Sequence, residues 1–261
     1  MSYLRFIQSC LVASALALAP ASVSARTATS ARAAVSPGQI AAAIADPSRA
    51  ADNRALDDGR KPAMILAFAQ LRRGDAVADW GAGAGYYSEL LADAVGPGGT
   101  VYAVGIAANY NAEKWAPVLA HHANIRPLVA PGEALALAPG GLEMIFTHLD
   151  YHDLYWTSQK YHYPTRDVDA VVRNWFAALR PGGHVVIVDH VAQGGDPRET
   201  ADKYHRIDPA RVKADFARAG FVFEEESAAL HREDDPHTVI VFDPAVRGHT
   251  DRFAFRFVKP R

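Results

Sequence analysis

The chain has 261 residues, 49% of them hydrophobic and 21% charged, the balance of an ordinary globular protein with material for one sizeable core. Its formal net charge of −2 comes without any run of Lys and Arg able to track a phosphate backbone, so nucleic acid is not an expected partner. The only cysteine, Cys10, lies in a segment expected to be removed, which leaves no thiol for a disulfide or a cysteine metal site.

Residues 1–25 read as a secretory signal peptide: Arg5 is the single charge, "FIQSCLVASALALA" is apolar, and "VSA" at 23–25 offers small residues for cleavage. The apolar run is shorter than the roughly 20 residues that cross a bilayer, so no stable membrane span is expected after cleavage. The expected location is therefore exported, in the periplasm. Residues 26–36, rich in Ala, Ser, Thr and Arg, read as a flexible leader. A single domain is expected over 37–261. It opens with a helical extension, in which "SPGQIAAAIAD" carries a Ser cap and a Pro at the first helical position and "KPAMILAFAQL" supplies a second amphipathic helix.

From there strands and helices alternate. Strand "AVADW" precedes helix "YYSELLADAV", strand "TVYAVGI" precedes a helix around "AEKWAPVLAHH", and "IRPLVA" is a weak strand. Strand "LEMIFTHL", helix "DVDAVVRNWFAAL", strand "HVVIVDHV" and helix "PARVKADFARA" follow. Near-continuous apolar strands alternating with helices indicate a parallel sheet covered on both faces. After Gly220 the pattern changes, and "FVFEEES", "HTVIVF" and "FAFRFVK" come without helices, so the sheet is expected to end in antiparallel strands.

The most informative stretch is "VADWGAGAGYYSELL" at 77–91, a strand, three alternating glycines and a helix. Gly81, Gly83 and Gly85 allow a tight turn and a close ligand, and the helix offers free N–H groups. A phosphate-binding loop needs Lys and then Ser or Thr after its last glycine, and here Tyr86 and Tyr87 follow. A dinucleotide loop would put a third glycine at position 86 and an acid about 20 residues further on, where Gly105 stands.

"VADWGAGAG" instead resembles the first motif of class I S-adenosylmethionine-dependent methyltransferases. "GEALAL" at 132–137 resembles the family's segment after the third strand, "LRPGGHVVIVD" at 179–189 its turn into the fifth, and "VKADFARAGF" and "FAFRFVKP" its last helix and strand. With the signal peptide, "YHDLYW" and "VFDPAVRGHTDRF" also resemble a group of exported, predicted bacterial methyltransferases. The resemblance implies an α/β fold: a doubly wound, mostly parallel seven-stranded sheet with antiparallel C-terminal strands, of the Rossmann-like methyltransferase type. It implies S-adenosylmethionine as cofactor, with Gly81, Gly83 and Gly85 against its amino acid part, Asp79 at its ammonium group and Glu133 accepting from the adenine amino group. Asp79 also reads as a local cap for the loop, and Glu133 as a solvated loop residue. The family's ribose-binding acid is missing: Gly105 stands in its place, with Asn109 and Asn111 as nearby substitutes.

Methyl transfer requires alignment of the acceptor and, for a hydroxyl or ammonium, removal of a proton. His152 is the first candidate base and His190 the second, both just beyond strand ends, with Tyr151, Tyr155 and Trp156 as candidate walls of an acceptor pocket. Each histidine also reads as a structural residue. His148, His152 and Asp150 or Asp153 could be combined into a metal set, but no H-E-x-x-H pattern appears and no metal is assigned; "HRID" at 205–208 is a further cluster in which Asp208 caps a helix. The expected function is methyl transfer to a small-molecule or surface-borne acceptor. A non-catalytic binding protein on a degenerate methyltransferase fold is the alternative, with a metal-assisted hydrolase as a third reading.

Overall fold

The computed structural model describes residues 32–261; the expected signal peptide and the first part of the expected leader lie outside them. Residues 32–36, expected in the leader, pack onto the domain: Ala34 bridges Arg72, the Val35 N–H donates to Leu71 O at 2.9 Å, and Arg32 pairs with Asp75 at 3.3 Å.

Four helices precede the sheet: α1 (Pro37–Ala45), α2 (Ala51–Arg54), α3 (Asp57–Arg60) and α4 (Pro62–Phe68). Ser36 caps α1 in a capping box with Gln39. The alternating part runs β1 (Ala76–Trp80), α5 (Tyr86–Val95), β2 (Thr100–Ile106), α6 (Ala112–His121), β3 (Ile125–Ala130), β4 (Leu142–His148), α7 (Val168–Ala178) and β5 (Leu179–His190). It closes with α8 (Pro197–Tyr204), α9 (Pro209–Arg218), β6 (Val222–Ser227) and β7 (Arg252–Val258).

The strands form one seven-stranded sheet in the order β3-β2-β1-β4-β5-β7-β6. Every pair is parallel except β5–β7 and β6–β7, so the doubly wound architecture with antiparallel C-terminal pairing is as expected. Residues alternate along each strand between two cores. Val77, Val101, Met144 and Phe146 face α1, α4 and α5, whereas Ala78, Trp80, Ile145 and Val185 face the Trp175 and Phe216 side of α7 and α9.

Several elements differ from the sequence reading, among them the short helices α2 and α3, which stand between the two expected before the sheet. "HTVIVF" is not a strand: β7 is already paired on both edges, and the segment's backbone bonds go elsewhere, Val241 N–H to Tyr204 O and Val239 O to Arg206 Nε. Helix α8 was not anticipated because "PRETADKY" buries only Thr200 and Ala201 and shows no apolar stripe, although Asp196 caps it by accepting from the N–H groups of Arg198 and Glu199.

The helices before the sheet are fastened by one buried cation. Arg49 is 2% exposed; its Nε donates to Glu89 of α5 at 2.8 Å, and its two terminal nitrogens hold Asp57 at 2.8 and 2.9 Å. Removing one partner of a buried pair strands the other charge, so Arg49→Ala is expected to cost about 3 kcal/mol. A urea titration should show a lower midpoint than the parent protein; an unchanged midpoint would contradict the fastening role.

Candidate functional site

Chain order reverses at the centre of the sheet, because β2 and β3 lie on one side of β1 and β4 on the other. The loops leaving β1 and β4 therefore diverge and open a crevice at the carboxyl ends of the strands, the place where open α/β sheets bind ligands. Both sequence clusters fall there.

The glycine loop follows β1. The N–H groups of Gly81 and Ala82 donate to Val104 O at 3.1 Å, and Gly85, at φ +87°, starts α5. A Cβ on Gly85 would sit 3.2 Å from the Trp115 ring, and Trp115 Nε1 donates to Gly83 O at 3.0 Å, so α6 clasps the loop. Gly81, at φ +75°, is pressed by the other cluster: a Cβ there would lie 2.2 Å from the Asp150 carboxyl carbon. Asp150 reaches it because Leu149 adopts a left-handed conformation, φ +59°, at the end of β4.

Two clefts share Gly81, Ala82 and Gly83. The larger by total empty space, about 650 Å³ with its solvent-open mouth included, runs over the ends of β1 and β2 and is lined by apolar Val104, Ile106, Trp115 and Leu135, by Gly105 and Asn109, and by Asp150 and Asp153. The smaller, about 440 Å³, is roofed by α2 and α3 and contains Asp79, Arg60, Tyr87 and His148. The roof is held by Tyr86 Oη donating to Asp57 at 2.7 Å and by an Arg252 terminal nitrogen donating to Gly59 O at 2.9 Å.

The charges in the smaller cleft are poorly compensated. Asp79 is 2% exposed and accepts from Ser88 Oγ; burial raises its carboxyl to about 6, against the pull of that hydrogen bond and of Arg60. Burial lowers the Arg60 guanidinium, which makes no ion pair among the described residues. Burial and then Arg60 bring the adjacent Arg252 down to about 10. His148 is held neutral by burial and by the two arginines, and its Nε2 is buried without a hydrogen-bond partner. One cleft thus offers a carboxylate, a guanidinium and an unpartnered imidazole nitrogen.

The other expected site residues are placed as follows. Gly105 lines the larger cleft, and a Cβ added there would meet nothing within 4 Å. Of the two nearby asparagines, Asn109 lines that cleft, while the Asn111 side chain caps α6 by accepting from Lys114 N at 3.0 Å. Glu133 is exposed on a short helical turn and lines an adjoining open cleft that shares Ile106 and Tyr163 with the larger one. His152 and His190 are buried beside the clefts and line neither. His152 Nδ1 lies 2.8 Å from Asp189 Oδ1, and despite burial the carboxylates of Asp189 and Asp153 raise its imidazole to about 9. His190 Nδ1 bonds Thr250 Oγ1 at 2.7 Å, and burial drives its imidazole well down. Tyr151 and Tyr155 donate to Asp215 in the interior.

Arg60 is the site residue that motif reading missed, and His148 was named there only as a member of a metal set. Arg60 sits in the polar stretch "ADNRALDDGRK", which carries no periodic signal, whereas His148 was visible as a titratable residue at the end of a strand.

No protein-family model matches this sequence, and no curated protein does. Solved structures do. A S-adenosylmethionine-dependent methyltransferase from Aquifex aeolicus is similar with a TM-score of 0.54 at 21% identity, over 85% of this chain and 98% of that one. One from Mesorhizobium loti gives 0.54 at 15% identity, over 78% and 100%. Haemonchus contortus phosphoethanolamine N-methyltransferase 2, in complex with S-adenosyl-L-methionine, gives 0.54 at 17% identity, over 76% of this chain and 52% of that one. The chain shares the Rossmann-like fold of these methyltransferases. Among the described residues, no helix is long and apolar enough to cross a membrane.

The state of Asp79 is open to a direct check. Its folded value, about 6, lies above the ordinary 3.8, so the stabilisation carried by the protonated form is complete below 3.8 and lost as pH rises through 6. The ionised form then costs the ligand-free fold about 3 kcal/mol. Asp79→Asn should melt roughly 6 to 12 °C higher than the parent at pH 8, and at the parent's temperature at low pH, where both side chains are neutral. Melting curves that differ by the same amount at both pH values would contradict it.

Proposed function

We propose that the glycine-loop crevice binds S-adenosylmethionine and that the protein transfers its methyl group to a small-molecule or surface-borne acceptor. One observation carries this reading: Asp79 and Arg60, of opposite charge and without an ion pair among the described residues, share the cleft that adjoins the apolar one across the glycine loop. An α-amino acid joined to a nucleoside has that pattern, an ammonium and a carboxylate at one end and an apolar ring at the other. The chemistry the cofactor supplies when bound is an electrophilic methyl group on a sulfonium.

The chain's own residues do the rest. Ionised Asp79 accepts from the ammonium, and Arg60 donates to the carboxylate. Gly83, lacking a side chain and open on that side, admits the ligand between the two clefts, while Gly81 makes room for Asp150. Asn109 takes the ribose hydroxyls that an acid at position 105 would have held. Glu133, at the adjoining open cleft, would accept from the adenine amino group. His148 and Asp150 face the clefts, unlike His152 and His190, and are assigned to aligning the acceptor and taking its proton. Export to the periplasm, the reading of residues 1–25, suits an acceptor carried outside the cytoplasm. The alternative of a binding protein on a degenerate fold is favoured by Gly105, and methyl transfer by the purified protein would eliminate it.

The test is calorimetric titration with S-adenosylmethionine and S-adenosylhomocysteine. Binding should disappear in Arg60→Ala and weaken about tenfold per pH unit below 6 as Asp79 takes up its proton. Gly105→Asp, entering open space, should tighten binding about tenfold or more by restoring a charge-assisted pair of hydrogen bonds. No heat from either ligand with well-folded protein would overturn the reading.

A further inference from the structure

Behind the larger cleft, three side chains from two separate parts of the chain converge. His152 and Asp153 come from the short helical turn His152–Leu154 after β4, and His205 ends α8. Their donor atoms all lie within 4.8 Å of one another. Asp153 Oδ1 is 3.3 Å from His152 Nε2 and 3.4 Å from His205 Nδ1, yet it is buried and accepts no hydrogen bond. In a tetrahedral site with donors about 2.0–2.1 Å from the ion, neighbouring donors lie about 3.3–3.4 Å apart. Asp153 stands at those distances from each of the two histidines.

The surroundings fix the same atoms. The Asp189 carboxylate, fully buried, accepts from the His152 backbone N–H and lies against its Nδ1, both at 2.8 Å. That leaves Nε2 facing Asp153 at 3.3 Å, where a metal ion would take the place of its proton, in the carboxylate–histidine arrangement that orients metal ligands. His205 is 8% exposed and holds a left-handed conformation, φ +51°, unusual for a residue with a Cβ. Its ring is packed between Trp156 and Phe242, with centroids 4.8 and 5.0 Å away. Two imidazoles, one carboxylate and an apolar wall make a closed set of borderline donors with a fourth position left for water or a ligand oxygen.

We propose that His152, Asp153 and His205 bind one divalent first-row transition ion, with Zn2+ the best match to their spacing, and that Asp189 positions His152 for it. Asp153 also lines the larger cleft, so the ion would stand at its border. The proposal does not depend on what occupies the glycine loop.

Protein purified without a histidine tag, stripped with chelator and dialysed, should take up one Zn2+ per chain in a calorimetric titration. Co2+ should give the intense visible absorption of a tetrahedral site. Asp153→Asn and His205→Ala should lose the stoichiometric uptake, and Asp189→Asn should weaken it about ten- to a hundredfold. His231→Ala, at an exposed histidine paired with Asp251, should bind as the parent does. Absence of saturable uptake by the folded parent protein would overturn the proposal, as would uptake that survives both Asp153→Asn and His205→Ala. Because the readout is metal content and colour, failure here leaves S-adenosylmethionine binding separately measurable.

Discussion

A parallel sheet whose chain order reverses between β1 and β4 must send the two loops apart, and what fills the gap is decided by the residues just beyond the strands. In this protein the gap is kept open at a cost. Among the described residues, Asp79 at the end of β1 has only the Ser88 hydroxyl as a direct partner, and Arg60 faces the same space without an ion pair. Burying two charges that do not form a close pair opposes folding, and the ligand proposed above would neutralise both.

The helices before the sheet make that arrangement tenable. Arg49 ties Asp57 and Glu89 together, α2 and α3 close over the glycine loop, and Arg60 is thereby fixed opposite Asp79. The helical extension is thus part of the site. The region after β4 serves two tasks in six residues: Leu149 turns the chain so that Asp150 presses on Gly81, and the following turn carries His152 and Asp153 away toward His205.

Much of this was legible in the sequence, for identifiable reasons. The glycine loop announces itself because Gly81, Gly83 and Gly85 all take positive φ, which other residues rarely adopt. The alternation of apolar strands with helices specified a doubly wound sheet, and Gly105 stands in open space at the end of β2. The convergence of distant residues was not legible. Spacing cannot show that Arg60 returns to Asp79, or that the His205 of "HRID" meets His152, because both contacts depend on how loops cross the sheet. "HTVIVF" has the composition of a strand, yet β7 has no free edge to accept it. The order of β7 and β6 decides that, and composition carries no information about it.

The most direct measurement is a crystal structure of the protein grown with saturating S-adenosylhomocysteine. The expected result is the amino acid end of the ligand between Asp79 and Arg60 and its adenosine over Gly105 and Asn109. Density for the ligand elsewhere, or an empty crevice beside a fully ordered glycine loop, would contradict the assignment of this site.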